Sequence, residues 1–300
     1  MLRTIAAILL LGLPAAQAQL TYSRGQTVSP AYEGWERNAD GSVNLIFGYM
    51  NANWEEDLEV PVGPDNNISP GPADQGQPTH FFPRRNRFIF RVRVPKDFGE
   101  KEVVWSLTTK GKTLKAYGTL KQDYFVDNMI FTSEIGAIGA GVSSPAIRAN
   151  KPPELRTEGD NARTVKVGQP LTLTAVVTDD GVPKPRSTGD PDDRKTKGDL
   201  RLIPPRYIFM DSATGLWTSL YVYRAPGAVR IQPDQIKTWE DTRAGANSQW
   251  APRWAAPPAP ADGKWTATAT FDEPGTYILR WHASDGALWD DEDITVVVTP

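Results

Sequence analysis

The 300-residue sequence contains no cysteine and only two histidines. Without cysteine, neither a disulfide nor a lipid anchor on a thiol is available, so stability has to come from hydrophobic cores alone. A structural zinc site would need His80 and His282, which are far apart in the chain, supplemented by carboxylates. Net charge is also scarce: the formal value of −3 sets up no global field that would recruit nucleic acid or an anionic membrane. Beyond the N-terminus no apolar run approaches the roughly 20 residues that a bilayer-spanning helix requires. Helical periodicity is rare, and no G-x-S-x-G nucleophile elbow occurs.

What is present begins with an address. Arg3 supplies a positive start, Ile5 to Pro14 a short apolar stretch, and Ala16-Gln17-Ala18 a cleavage pattern before Gln19. Together these predict a secretory signal peptide over residues 1–18. The expectation is a bacterial protein exported to the periplasm or the cell surface. Removing those 18 residues from 300 leaves 282, enough for two domains, each able to bury a core of its own. Residues 132–151 are rich in Gly, Ala and Ser with no sustained period, and they are read as a linker between an N-terminal domain at 28–131 and a C-terminal one at 152–300.

Period-two alternation dominates both halves. Val43, Leu45, Phe47 and Tyr49 alternate, as do Phe88, Phe90, Val92 and Val94, with Arg87, Arg91 and Arg93 on the opposite face. Val103, Trp105 and Leu107 form a third strand that returns through a turn at Lys110-Gly111-Lys112. In the second half Leu171 to Val177, Leu216 to Tyr223, Val229 to Ile231, Trp265 to Phe271, Tyr277 to Ala283 and Ile294 to Val298 read as strands, with Pro226-Gly227 as a hairpin turn between the second and third. Short strands separated by frequent turn signals describe β-sandwiches. The fold class is therefore all-β, with two antiparallel sandwich domains.

Several segments of the second half carry a resemblance. NKPPEL (150–155), VKVGQPLTLTAVVTDDG (165–181), YRAPGAV (223–229), FDEPGTYILRWHASDG (271–286) and DITVVVTP (293–300) resemble a bacterial PKD-type, immunoglobulin-like repeat of secreted and surface proteins. That resemblance implies an extracellular spacer or interaction module and carries no catalytic residues with it. It is interrupted by insertions at 182–212 and 232–264. The first half resembles nothing beyond a generic sandwich.

If the strands ending at Asp179 and Ser284 run the same way, their outgoing loops share one pole, which then also receives both insertions. Asp179, Asp180, Asp285, Asp290 and Asp291 would be neighbours there, offering the oxygens that calcium needs. The same Asp-Gly pairs are ordinary turn chemistry, and the spacing fits no EF-hand. Trp239, Trp250, Trp254 and Trp289 would converge on this pole as candidate contacts for a glycan or a protein, or as anchors folding long loops back onto the sandwich.

Other chemistry is weaker. His282, Ser284 and Asp285 are strand neighbours and cannot by themselves form a base, nucleophile and orienter. Paired carboxylates could hydrolyse glycosides, yet no cleft-forming fold accompanies them. The arginine row Arg84, Arg85, Arg87, Arg91 and Arg93 reads as an anion grip or as a face paired with nearby acids. Asn67-Ile68-Ser69 is a glycosylation sequon in form only. The expected function is thus a non-catalytic binding or structural module with a protein or polysaccharide partner at the cell surface and no cofactor, calcium at the acidic loops being the alternative to plain turn chemistry. The alternatives are a subunit of a surface assembly and a carboxylate-based hydrolase.

Overall fold

The computed structural model describes residues 23–135, 143–185, 213–239, 254–256 and 258–300. Its first half contains β1 (Val28–Arg37), β2 (Val43–Asn51), β3 (Leu58–Glu59), β4 (Asn66–Ser69), β5 (His80–Phe81), β6 (Arg84–Val94), β7 (Val103–Thr109) and β8 (Lys112–Gly118). One sheet runs β1-β2-β6 and the facing one β4-β7-β8. Alternation puts Leu45, Phe47, Phe90 and Val92 of the first sheet against Ile68, Trp105 and Leu107 of the second in a single buried cluster. Trp105 sits in this core because its indole N–H reaches the Oδ1 of buried Asn66 at 3.0 Å, satisfying the one polar atom it carries inward. The β7–β8 hairpin turns on Lys110 and Gly111, both at positive φ (50° and 72°), the geometry that matches the twist of the flanking strands.

Helices α1 (Asn128–Ile135) and α2 (Pro145–Ala149) flank residues 136–142, so much of the expected linker is helical. The second half follows with β9 (Glu154–Thr157), β10 (Ala162–Lys166), β11 (Leu171–Thr178), β12 (Ala213–Thr214), β13 (Trp217–Arg224), β14 (Val229–Gln232), β15 (Trp254–Ala255), β16 (Lys264–Phe271), β17 (Gly275–Ser284) and β18 (Trp289–Thr299). Two four-stranded sheets, β10-β18-β17-β13 and β14-β16-β11-β9, enclose Leu173, Ala175, Leu220, Phe271, Leu279, Trp281 and Val296. The Pro226-Gly227 turn differs from its expected role: β13 pairs with β17 and β14 with β16. The turn is therefore a crossover between sheets and not a hairpin.

A second difference lies in β6. Strict alternation would put Phe88 in the same core as Phe90 and Val92. Instead the β2–β6 register shifts between Phe47 and Tyr49, and Phe88 takes φ 55°, a left-handed conformation that a bulky residue adopts only under strain. The bulge closes tightly around Gly48, where an added Cβ would collide with the backbone oxygen of Asn86 and the carboxylate of Glu33. Phe88 consequently leaves the first core and joins Ile46, Val126, Phe131 and Leu288 in a separate cluster that includes the second half of the chain.

Candidate functional site at the loop pole and the inter-sandwich joint

The strands β14 and β11 both run antiparallel to β16, so they leave their sheet at the same end. The 150–151 segment ties that end to the tip of β17: Asn150 Nδ2 donates to Asp285 Oδ2 at 2.9 Å, and the Lys151 N–H donates to Asp180 Oδ2 at 3.4 Å. Asp179 is close enough to raise the pKa of Asp285 by repulsion. Asp179, Asp180 and Asp285 are thus brought together.

Each of the three carboxylates also closes its own turn. Asp179 and Asp180 accept from the N–H groups of Gly181 and Val182. Asp285, 1% exposed, accepts from Ala287 at 2.6 Å and Leu288 at 2.8 Å. Burial pushes its carboxyl up to about 6, against the lowering effect of the Leu288, Asn150 and Ala287 donors. Three lone-pair sites are therefore filled by protein donors, while Oδ1 of Asn150 and Oδ1 of Asp179 are buried without a hydrogen bond. Among the described residues no group of three or more His, Asp or Glu converges as a metal-binding set.

Asp290 and Asp291 are placed elsewhere. They belong to β18, paired with Ala283 and His282 of β17, and with Glu292 and Asp293 they descend the strand away from the tip. Alternation splits the run. Asp290 accepts from Leu155 N–H at 3.1 Å and Glu292 from Thr157 N–H, so this pair docks β9 across the sandwich edge. Asp291 and Asp293 face the other way, into the contact between the two sandwiches.

That contact is the most elaborate feature of the molecule. Arg280 donates to both oxygens of Asp293 at 2.6 and 2.9 Å, and its remaining Nη1 donates to the Ile89 carbonyl of the N-terminal bulge at 2.6 Å. Its guanidinium lies 3.7 Å from the centre of the Tyr223 ring. His282 Nδ1 meets Asp291 Oδ1 at 2.7 Å, and Trp289 Nε1 donates to the other oxygen at 3.1 Å. Burial pushes Asp291 up, but His282 and Arg280 outweigh it and hold the carboxyl below its usual range. Further along the joint, Arg224 donates to both oxygens of Asp74 at 2.8 Å and to the Gln77 carbonyl at 2.9 Å.

The tryptophans follow the same logic. Trp289 stacks on Phe88 (5.6 Å, 24°) and meets Phe131 edge-on at 5.3 Å. Trp239 stacks on Phe82 of the first half at 4.9 Å and 11°. Both indoles anchor one sandwich to the other. Trp250 lies outside the described residues, and Trp254 begins β15, where its backbone pairs with Ala213. Arg280, His282, Asp293 and Phe88 are the interface residues that sequence reasoning missed. The signal was available: Arg280 and His282, two apart on β17, face Asp293 and Asp291, two apart on β18, a cross-strand charge match on one face.

The chemistry open to this arrangement is limited. His282 pairs with Asp291 while Ser284 Oγ accepts from Gly286 N–H, so base and hydroxyl serve different partners. Arg85, Arg87, Arg91 and Arg93 pair with Glu33, Glu134, Glu36 and Asp40 respectively, and Arg84 covers the Trp54 ring at 3.9 Å. The arginine row is thus matched within the molecule. No helix of the described residues is long and apolar enough to cross a membrane.

No protein-family model matches the chain, and no curated protein matches it. Among solved structures, domains 4 and 5 of the S-layer protein SbsC align over 67% of this chain and 66% of that one, with 7% identity and a TM-score of 0.25. The D00-D0 domain of intimin aligns over 90% and 100% with 10% identity and a TM-score of 0.23. Titin domains Z1Z2 in complex with telethonin align over 92% and 98% with 9% identity and a TM-score of 0.23. This chain spans only 28% of a longer SbsC fragment. The chain is similar to these proteins at a level that carries no functional argument.

Proposed function

We propose that this chain is an exported, non-catalytic module whose two sandwiches are locked at a fixed relative orientation and present the loop pole of the C-terminal one to a protein or polysaccharide partner at the cell surface. The observation carrying this reading is the fate of the reactive side chains. Arg280, His282, Asp291, Asp293, Trp239 and Trp289 are spent on the joint, where a flexible spacer would need none of them. Buried ion pairs recover their desolvation cost only in good geometry with every donor satisfied, and such contacts specify orientation more than they add stability.

Small-angle scattering of the chain from Gln19 tests the joint. The expected result is one rigid shape, loosened by the double substitution Arg280→Ala and Trp289→Ala; wild-type scattering that already demands a range of inter-sandwich angles would refute it. Thermal melting against a polysaccharide panel then tests binding, since a ligand of the folded state raises the melting point. A second reading, calcium at Asp179, Asp180 and Asp285, is favoured by the buried acceptor oxygens of Asn150 and Asp179 that lack donors. Melting with and without calcium decides it.

A further inference from the structure

β13 ends its sheet, in the order β10-β18-β17-β13, so one edge has no strand of that sheet beside it. The last residues of this edge are already covered by the first sandwich in a strand-like manner. Thr79 N–H donates to the Tyr223 carbonyl at 3.3 Å, and Ala225 N–H donates to Thr79 Oγ1 at 3.4 Å. Further up the same edge the partner changes from backbone to side chain: Leu220 N–H donates to Gln235 Oε1 at 2.8 Å, and Ser219 Oγ donates to the Ile236 carbonyl at 2.7 Å. A glutamine amide stands where a neighbouring strand's carbonyl would stand.

Beside this capped stretch lies a groove of about 250 Å³ whose apolar lining includes Leu220, Val222, Val229, Ile231, Ile236 and Trp239, with Asp234, Gln235 and Lys237 among its polar lining. Val229 and Ile231 come from β14, the edge of the other sheet, so the groove is the open flank where the two sheets part. These two, with Ile236 and Trp239, remain half-buried among the described residues, leaving apolar surface that those residues do not close.

We infer that this groove receives an extended peptide segment of a partner protein, added as a strand along β13 from Leu220 and setting an apolar side chain among Val222, Val229 and Ile231. This rests on the binding-module reading above and names its partner chemistry. An edge N–H and an aliphatic slot beside it are met together by an extended peptide, whose backbone supplies carbonyls on one line and whose alternate side chains point to one face. A glycan laid against the apolar patch of Leu220, Val222, Val229 and Ile231 would leave hydroxyls unpaired there. The Gln235 cap is displaceable, because its amide can turn to water while the peptide carbonyl restores the bond to Leu220. The incoming strand would also continue a pairing that Thr79 has already begun, as an extension of the existing joint.

The test uses the chain from Gln19 and a set of blocked peptides of alternating isoleucine and threonine with terminal lysines, the central residue varied through the apolar amino acids. Binding is read by fluorescence anisotropy, and exchange of the Leu220 amide by hydrogen–deuterium exchange. Saturating peptide is expected to slow that exchange at least about tenfold, and Ile231→Glu to weaken binding by at least about tenfold. Gln235→Ala should tighten binding about fivefold, the worth of one competing hydrogen bond. Val229→Arg guards against misfolding of the first variant, each being accepted only if it melts as wild type does. Failure of every peptide to bind, or binding that leaves Leu220 exchange unchanged, overturns the inference. Displacement of bound peptide by maltohexaose with no change at Leu220 also overturns it. None of these outcomes alters the scattering result, so failure of the groove and failure of the rigid-module reading are told apart.

Discussion

Asp285→Asn should stabilise this protein at neutral pH, against the usual expectation for a buried residue that accepts three hydrogen bonds. The carboxyl is 1% exposed, and burial raises it from 3.8 to about 6 against the opposing pull of the Leu288, Asn150 and Ala287 donors. The folded state binds the proton more tightly than the unfolded state, so stability declines as pH rises from about 4 to about 6. Above that window the cost is roughly 2 pKa units at 1.36 kcal/mol each, or about 3 kcal/mol. Asparagine keeps the Oδ1 that accepts from Ala287 and Leu288 and removes the charge. Its Nδ2 would face Asn150, whose amide can turn end for end and offer the Oδ1 that now lacks a partner. Urea unfolding in chelator at pH 8 should show the variant about 2–3 kcal/mol more stable than wild type, with the gap closing by pH 4. A variant less stable than wild type at pH 8, or a gap independent of pH, would refute the reasoning. If added calcium instead stabilises wild type and not the variant, Asp285 is a cation ligand and the second reading above is correct.

The remaining predictions concern the joint and the first sandwich. Arg280→Met removes a guanidinium that satisfies Asp293 and the Ile89 carbonyl; because the Asp293 side chain is 41% exposed, the cost should fall to about 2–3 kcal/mol, below that of a fully buried pair, measured by urea unfolding. Gly48→Ala forces a methyl group against the Asn86 backbone and should cost roughly 1–3 kcal/mol, as overpacking does, with altered Trp289 fluorescence because the same bulge aims Phe88. His80 loses protonation tendency through burial, yet its bonds to Asp57 and Glu59 hold it up to about 9. Its contribution is complete below pH 6.5 and lost as pH rises through 9, so wild type should lose up to about 3 kcal/mol between pH 7 and 10 while His80→Gln shows a flat profile.

The strands were legible in the sequence because each half-buried sheet writes a period of two. Leu45, Phe47 and Tyr49, or Tyr277, Leu279 and Trp281, needed only their spacing. The shared pole of β11, β14 and β17 followed from strand direction. What could not be read was anything depending on the second body. Arg280 and His282 alternate out of phase with the core and therefore read as solvent-facing, whereas the first sandwich covers that face and buries both. Phe88 alternates in phase with Phe90, so spacing alone places it in the first core, because nothing local in RNRFIF announces a bulge; only the requirement for glycine at position 48, on a different strand, records it. Pro226-Gly227 carries the composition of a hairpin, and only the partner strands distinguish a hairpin from a crossover.

The strain at Phe88 is best understood together with Arg280. A bulge on β6 costs a ladder position and holds a phenylalanine at positive φ, of order 1–3 kcal/mol by itself. It returns two contacts that a regular strand could not make at once: the Phe88 ring is turned out of its own core onto Trp289, and the Ile89 carbonyl is freed from pairing to accept from Arg280. Both belong to the other sandwich. A chain selected only for the stability of its first half would regularise β6 and bury Phe88 beside Phe90. The bulge, with room for it at Gly48, is what the proposed fixed orientation would call for, since a loosely tethered pair would gain nothing from a strained strand.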